Sequence, residues 1–224
     1  RNPSRRTDRI LELIQKDMRL QELPVHIECF DNSNFQGTNA VAACVVFRNG
    51  KPAKRDYRHF NIKTVVGPDD FASMEEVVYR RYKRLQDEKK SLPQLIIIDG
   101  GKGQLSSALT ALERLDLRGK IGIVGIAKKL EEIYFPGDSI PIYIDKRSES
   151  LKVIQHLRNE AHRFGITHHR NKRSKRALNT ELNSIPGVGE KTIKDLLREF
   201  KSVKRVKEAT EKEIARVVGQ ARAK

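Results

Sequence analysis

The sequence predicts an α/β domain, a mixed sheet flanked by helices, followed by a small all-α unit. Three observations carry this. Between about Pro24 and Ile166, apolar runs of strand length alternate with stretches of helical period. Beyond Ile166 the apolar residues thin out, and Pro186-Gly187-Val188-Gly189 joins two helical stretches. Two of the strand-like runs end in an aspartate, although the chain carries 45 Lys and Arg against 29 Asp and Glu, a net charge of +16. So basic a chain suits a phosphate-bearing partner, and acids at strand ends are what phosphate repels.

Thr7 to Leu23 places Ile10, Leu11, Ile14, Met18 and Leu20 at roughly helical spacing before Pro24, and residues 1–23 are read as a lead-in helix or linker. Three β-like runs follow: Val25 to Phe30, Ala40 to Phe47 and Ala53 to Ile62, the last two joined by the hairpin dipeptide Asn49-Gly50. Pro68-Asp69-Asp70 is a helix-start signature, and the helix it opens runs to about Lys90. Leu95 to Ile98 is all apolar, as in a strand covered on both faces. Gly103 to Leu115 is a second helix, Ile121 to Ile126 another buried strand, Ile133 to Ile144 a hairpin and Ser150 to Phe164 a third helix. Cys29 and Cys44 lie inside strand-like runs without metal-ligand spacing, so they read as small buried hydrophobes.

The order β-β-β-α-β-α-β, hairpin, α matches the ribonuclease H-like fold. There the first and fourth strands lie side by side, about 4.8 Å apart. Asp31, after Val25 to Phe30, and Asp99, after Leu95 to Ile98, would then converge. Two carboxylates held so close repel unless a cation separates them, and Mg²⁺ or Mn²⁺ suits oxygen ligands and a phosphate. That chemistry is phosphodiester hydrolysis. Each aspartate could instead be a turn or cap residue, Asp99 for the helix after it. Glu28, an odd number of residues before Asp31, falls on the opposite strand face and is the weaker ligand candidate. His162 lies beside the apolar stripe Ile154, Leu157, Ala161 and Phe164 of the third helix, whose return over the strand ends would make it a third ligand or a proton carrier.

Asp99-Gly100-Gly101-Lys102-Gly103 is glycine-rich and opens a helix, so its amides and Lys102 could meet phosphate, although Walker A spacing is missing. Residues 168–178 form a basic linker with Arg170 and Arg173 as phosphate contacts. Leu182 to Ile193 reads as a helix-hairpin-helix, with Gly187, Gly189, Lys191 and Thr192 on the DNA backbone. A weaker second copy starts at Ser202 and reaches Ala221, its last helix cut off. The domains are therefore expected at 24–167 and 179–224. The chain opens on Arg1 and stops at Lys224 in mid-pattern, so it reads as a fragment. No apolar run is long enough for a membrane span and no signal peptide is seen, so a cytoplasmic protein is expected.

Ile27 to Asp31, Gly67 to Met74, Ile98 to Leu105, Arg158 to Phe164 and the helix-hairpin-helix together resemble the C-terminal half of the UvrC family, the incision subunit of bacterial nucleotide excision repair. The resemblance implies a ribonuclease H-like endonuclease domain plus a tandem helix-hairpin-helix, cutting double-stranded damaged DNA 5′ of a lesion. It places metal binding and catalysis on Asp31, Asp99 and His162, with Asp70 a further important acid. It implies UvrB as partner, through a segment not in this chain, and a fragment that is itself monomeric. Many members carry His where this chain has Asn34. Two other readings stand beside it: a DNA-binding scaffold with an inactive nuclease-like domain, and another ribonuclease H-like enzyme such as a junction resolvase or ribonuclease.

Overall fold

The computed structural model describes residues 3–33, 40–65, 69–127 and 132–223, with backbone alone at Ser33 and at 169–180. Strands β1 (His26–Ser33) and β2 (Val41–Arg48) pair antiparallel, Asp31 opposite Ala43. After β2, Asn49 and Gly50 have φ of 51° and 73°, the left-handed pair that a two-residue hairpin requires. The predicted third strand is broken. Strand β3 covers only Lys51–Pro52, Ala53 N–H still donates to the Val46 carbonyl (2.8 Å), and a 3-10 turn follows at Lys54–Asp56, tied back by Arg48 to Asp56 at 2.9 Å. The chain then returns as β4 (Arg58–Asn61) along the other half of β2.

Strand β5 (Leu95–Asp99) runs parallel to β1, and β6 (Gly122–Ile126) parallel to β5. Strands β7 (Glu132–Tyr134) and β8 (Ile142–Tyr143) continue antiparallel. The mixed sheet has the order β3-β2-β1-β5-β6-β7-β8, with β4 also on β2. Side chains alternate between two cores, as the strand period of two demands. On one face Phe30, Ile96, Ile98 and Ile123 pack with α2 (Asp70–Asp87) and α3 (Lys102–Arg114). On the other, Ile27, Cys29, Leu95, Ile97 and Val124 pack with α1 (Pro3–Asp17) and α4 (Glu149–Asn183).

Two sequence expectations change here. Helix α1 begins at Pro3, a residue suited to a first helical turn, and Leu11, Ile14 and Met18 are buried in the second core. The lead-in segment is therefore part of the α/β unit. Helix α4 does not stop at Phe164 but runs for 35 residues, so 168–178 is helical backbone. Nothing after the buried Gly165 breaks it, and Lys and Arg are good helix formers.

One buried charge cluster pins α2 to β1. Glu28 is fully buried and accepts from Arg81 Nε and Nη2 (3.0 and 2.7 Å), Tyr82 (3.0 Å) and His26 Nε2 (2.8 Å). Burial alone would raise its pKa, but the bonds from His26 and Arg81 outweigh burial and hold it down at about 2.

The chain divides into a first unit, 1–168, and a second, 169–224. The second contains α5 (Glu190–Phe200), α6 (Val203–Glu208), α7 (Glu211–Val218) and α8 (Gln220–Ala223). Leu182, Ile193 and Val203 form its small core. Among the described residues, no helix is long and apolar enough to cross a membrane.

Candidate active site at the ends of β1 and β5

The two strand-end aspartates share a face. Phe30 pairs with Ile98, so Asp31 and Asp99 each follow a paired residue on adjacent parallel strands. Each stands two residues beyond a member of the α4-side core, Cys29 and Ile97. Both are buried, at 1% and 6% exposure. Their charges converge on the Cys29 thiol, which burial and then the negative fields of Asp99 and Asp31 push well up. The N-cap of α3, which starts at Lys102, is Gly101 and not Asp99.

Helix α4 brings the third group. Ile154, Leu157 and Ala161 are buried on the sheet, as the stripe predicts. Further anchors fix its rotation: Tyr57 donates to Glu160 (2.9 Å), and His59 Nε2 meets the Phe164 carbonyl (2.8 Å) while stacking on its ring at 3.7 Å. Arg163 and then Tyr57 hold Glu160 to a pKa of about 2 against partial burial. His162 is thereby set with Nδ1 3.2 Å from Asp31 Oδ2, its side chain 60% exposed and that of Asp31 2%. A carboxylate only accepts, so Nδ1 carries the hydrogen in this contact and Nε2 is the acceptor of the neutral ring.

The donor set of two buried carboxylates and an imidazole fits a hard divalent cation that keeps water ligands. Among the described residues no three His, Cys, Asp or Glu stand close enough together to cage an ion. Water or phosphate oxygens would complete the shell. Arg158, one turn before His162, is a participant that sequence reasoning passed over. It lies close to Ile126, the residue paired with Asp99, and its cation offsets the field that the carboxylates set up at Cys29. Its spacing of four from His162 was the available signal.

Asp70 lies at the same end of the sheet on the other helical layer. Asp69 is the α2 cap, accepting from Phe71 (3.1 Å) and Ala72 (3.0 Å), which leaves the Asp70 side chain exposed. Asn32, next to Asp31, donates from Nδ2 to the Asp70 carbonyl at 2.9 Å, so the two acids are tethered through backbone. The exposed Lys102 places Nζ 6.0 Å from the Tyr134 ring centroid, toward β7.

In the second unit, Gly187 has φ +85°, which only glycine adopts without strain, and Gly189 is the N-cap of α5 with no side-chain partner. Both are exposed, as is Lys191, whereas Thr192 is buried and can present only its amide. Ser202 caps α6, Thr210 with Glu213 forms a capping box on α7, and Gly219 after α7 has the same φ of +85° as Gly187. The side chains of Arg170 and Arg173, and all of Asn34, lie outside the described residues.

Fold and site together define a ribonuclease H-like endonuclease domain joined to a helix-hairpin-helix unit. Residues 15–166 match the UvrC RNase H endonuclease domain, and 180–224 a SAM-like helix-hairpin-helix tandem. The chain belongs to the UvrC RNase H endonuclease family. It is 70% identical over 223 residues to the UvrABC system protein C of Flavobacterium johnsoniae, and 69% identical to that of Flavobacterium psychrophilum. It spans 37% of the length of each of these relatives. Among solved structures it is similar to Ciona intestinalis Endonuclease V in complex with an inosine-containing 24mer DNA, at a TM-score of 0.36 and 20% identity, covering 70% of this chain and 67% of that one. A likeness at that score adds nothing to the assignment.

Proposed function

We propose that this chain is the module that cuts DNA 5′ of a lesion in nucleotide excision repair, using Mg²⁺ or Mn²⁺ held by Asp31 and Asp99. The observation that supports this most is the pair of buried carboxylates on adjacent parallel strands, with His162 hydrogen-bonded to one of them. When bound there, the cation would lower the pKa of a water and neutralise charge on the phosphate. Asp31 orients His162, whose largely exposed ring can take or return a proton through Nε2 at the attacking or leaving oxygen. Asp70, tethered beside Asp31, adds negative charge at the rim. The surplus of Lys and Arg draws duplex DNA to the chain. The amides at the start of α5 after Gly189, with Lys191 and the Thr192 amide, hold the backbone without reading sequence, the exposed Gly187 lets it come close, and Lys102, Arg170 and Arg173 supply further charge. The relatives' name supports a role within a UvrABC system, with UvrB as the partner that would deliver the lesion.

The test is incision of an end-labelled duplex bearing one lesion and preloaded with UvrB. One nick 5′ of the lesion is expected, present with Mg²⁺ or Mn²⁺ and abolished by EDTA. A nick on the 3′ side, or preference for an RNA–DNA hybrid, would refute this reading.

A further inference from the structure

Phe71 follows Asp70 in the first turn of α2, yet it stays 55% exposed. Its position is built, not incidental. The Phe71 amide is held by the Asp69 cap, and the preceding carbonyl by Asn32 beside Asp31. The ring lies on Gly103, in the first turn of α3, where an added Cβ would stand 2.4 Å from its Cε1 and 2.6 Å from its Cζ. A side chain at 103 would therefore collide with the ring. Gly103 comes one residue after Lys102 and four after Asp99, so Phe71 is seated between the loop that follows Asp99 and the acid-bearing end of α2. One side of the ring is spoken for by Gly103 and the rest faces water.

We infer that Phe71 is a nucleobase platform at the rim of the nuclease site, stacking on a base next to the scissile phosphate. The inference rests on the DNA endonuclease reading and adds to it the group that positions the strand. An aromatic ring suits this task. Every base has a π-face, so stacking holds a strand without regard to sequence. An acidic rim repels phosphate, and a stacked base secures the nucleotide by its uncharged part. Lys102, exposed in the same first turn of α3 as Gly103, can meet the neighbouring phosphate.

The chain contains no tryptophan, so Phe71→Trp introduces a single fluorophore at the point in question. In an Asp31→Asn background, where the DNA is not cut, duplex DNA is expected to quench its emission. An otherwise identical duplex with abasic positions beside the cut should quench it much less. In the cutting-competent chain, Phe71→Leu keeps an apolar group on Gly103 but removes the π-face, and is expected to lower kcat/KM roughly tenfold or more, with Phe71→Tyr restoring it. Unquenched emission from a DNA-bound chain, equal quenching by abasic DNA, a response to partner protein alone, or full activity of Phe71→Leu would each overturn the inference. The fluorescence arm needs no cleavage. Quenching of the Phe71→Trp chain by DNA together with a wild-type chain that never cuts would thus sink the nuclease reading alone, and a wild-type chain that cuts while the Phe71→Trp emission stays unquenched on bound DNA would sink the stacking alone.

Discussion

Asp31→Asn is expected to lower strand cleavage on the order of 10⁴-fold while leaving DNA affinity within a factor of about two. Asparagine keeps the shape of the side chain, and its carbonyl oxygen can still accept from His162 Nδ1, so the contact now at 3.2 Å can survive. What is lost is one of the two charges that would hold the cation. The stability arm separates this from misfolding. Asp31 is 1% exposed and shares its strand end with Asp99, so neutralising it relieves repulsion. The melting temperature should hold or rise, a trade commonly met at active sites. Loss of cleavage together with a clear fall in melting temperature would instead mark Asp31 as structural.

The largest stability effect is expected at Glu28. Glu28→Ala strips Arg81 of both its carboxylate bonds, and the Arg81 side chain is only 10% exposed. Leaving a buried cation unpaired costs about 3–5 kcal/mol. The double replacement Glu28→Leu with Arg81→Met should recover most of that loss, because it removes both charges at once. The pH dependence follows from the same bonds. The folded pKa of about 2 lies below the ordinary 4.5, so the stabilisation is full above pH 4.5 and drains away as pH falls toward 2. Glu160 and Glu76, also lowered, add to that acid limb. Urea unfolding between pH 7 and 2 should show a shallower acid limb in the double variant than in wild type; identical limbs would place the charge cluster outside the stability of the fold.

How far the sequence speaks depends on the range of the interaction involved. Asn49-Gly50 announced its hairpin because a two-residue turn selects its own residues. The period of two placed Asp31 and Asp99 on one face and Glu28 on the other, and the apolar stripe set His162 beside the sheet. Local signals misled where a local competitor stood close by. The 3-10 turn at Lys54–Asp56, tied to Arg48, cut what looked like one strand from Ala53 to Ile62, and a basic stretch with no breaker stayed helical after Phe164. The start of α2 was legible, but the sharing of its two acids was not: Asp69 caps and Asp70 does not. Phe71 was out of reach, since its role comes from a neighbour distant in sequence, Gly103, whereas Arg158 left one local signal, its spacing of four from His162.

The central claim is that Asp31 and Asp99 form one divalent-cation centre. Crystals soaked in Mn²⁺ and measured at the manganese absorption edge test it most directly. An anomalous peak at Asp31 and Asp99 is expected, and its loss in Asp31→Asn. A fully soaked crystal with manganese elsewhere and none between Asp31 and Asp99 would contradict it.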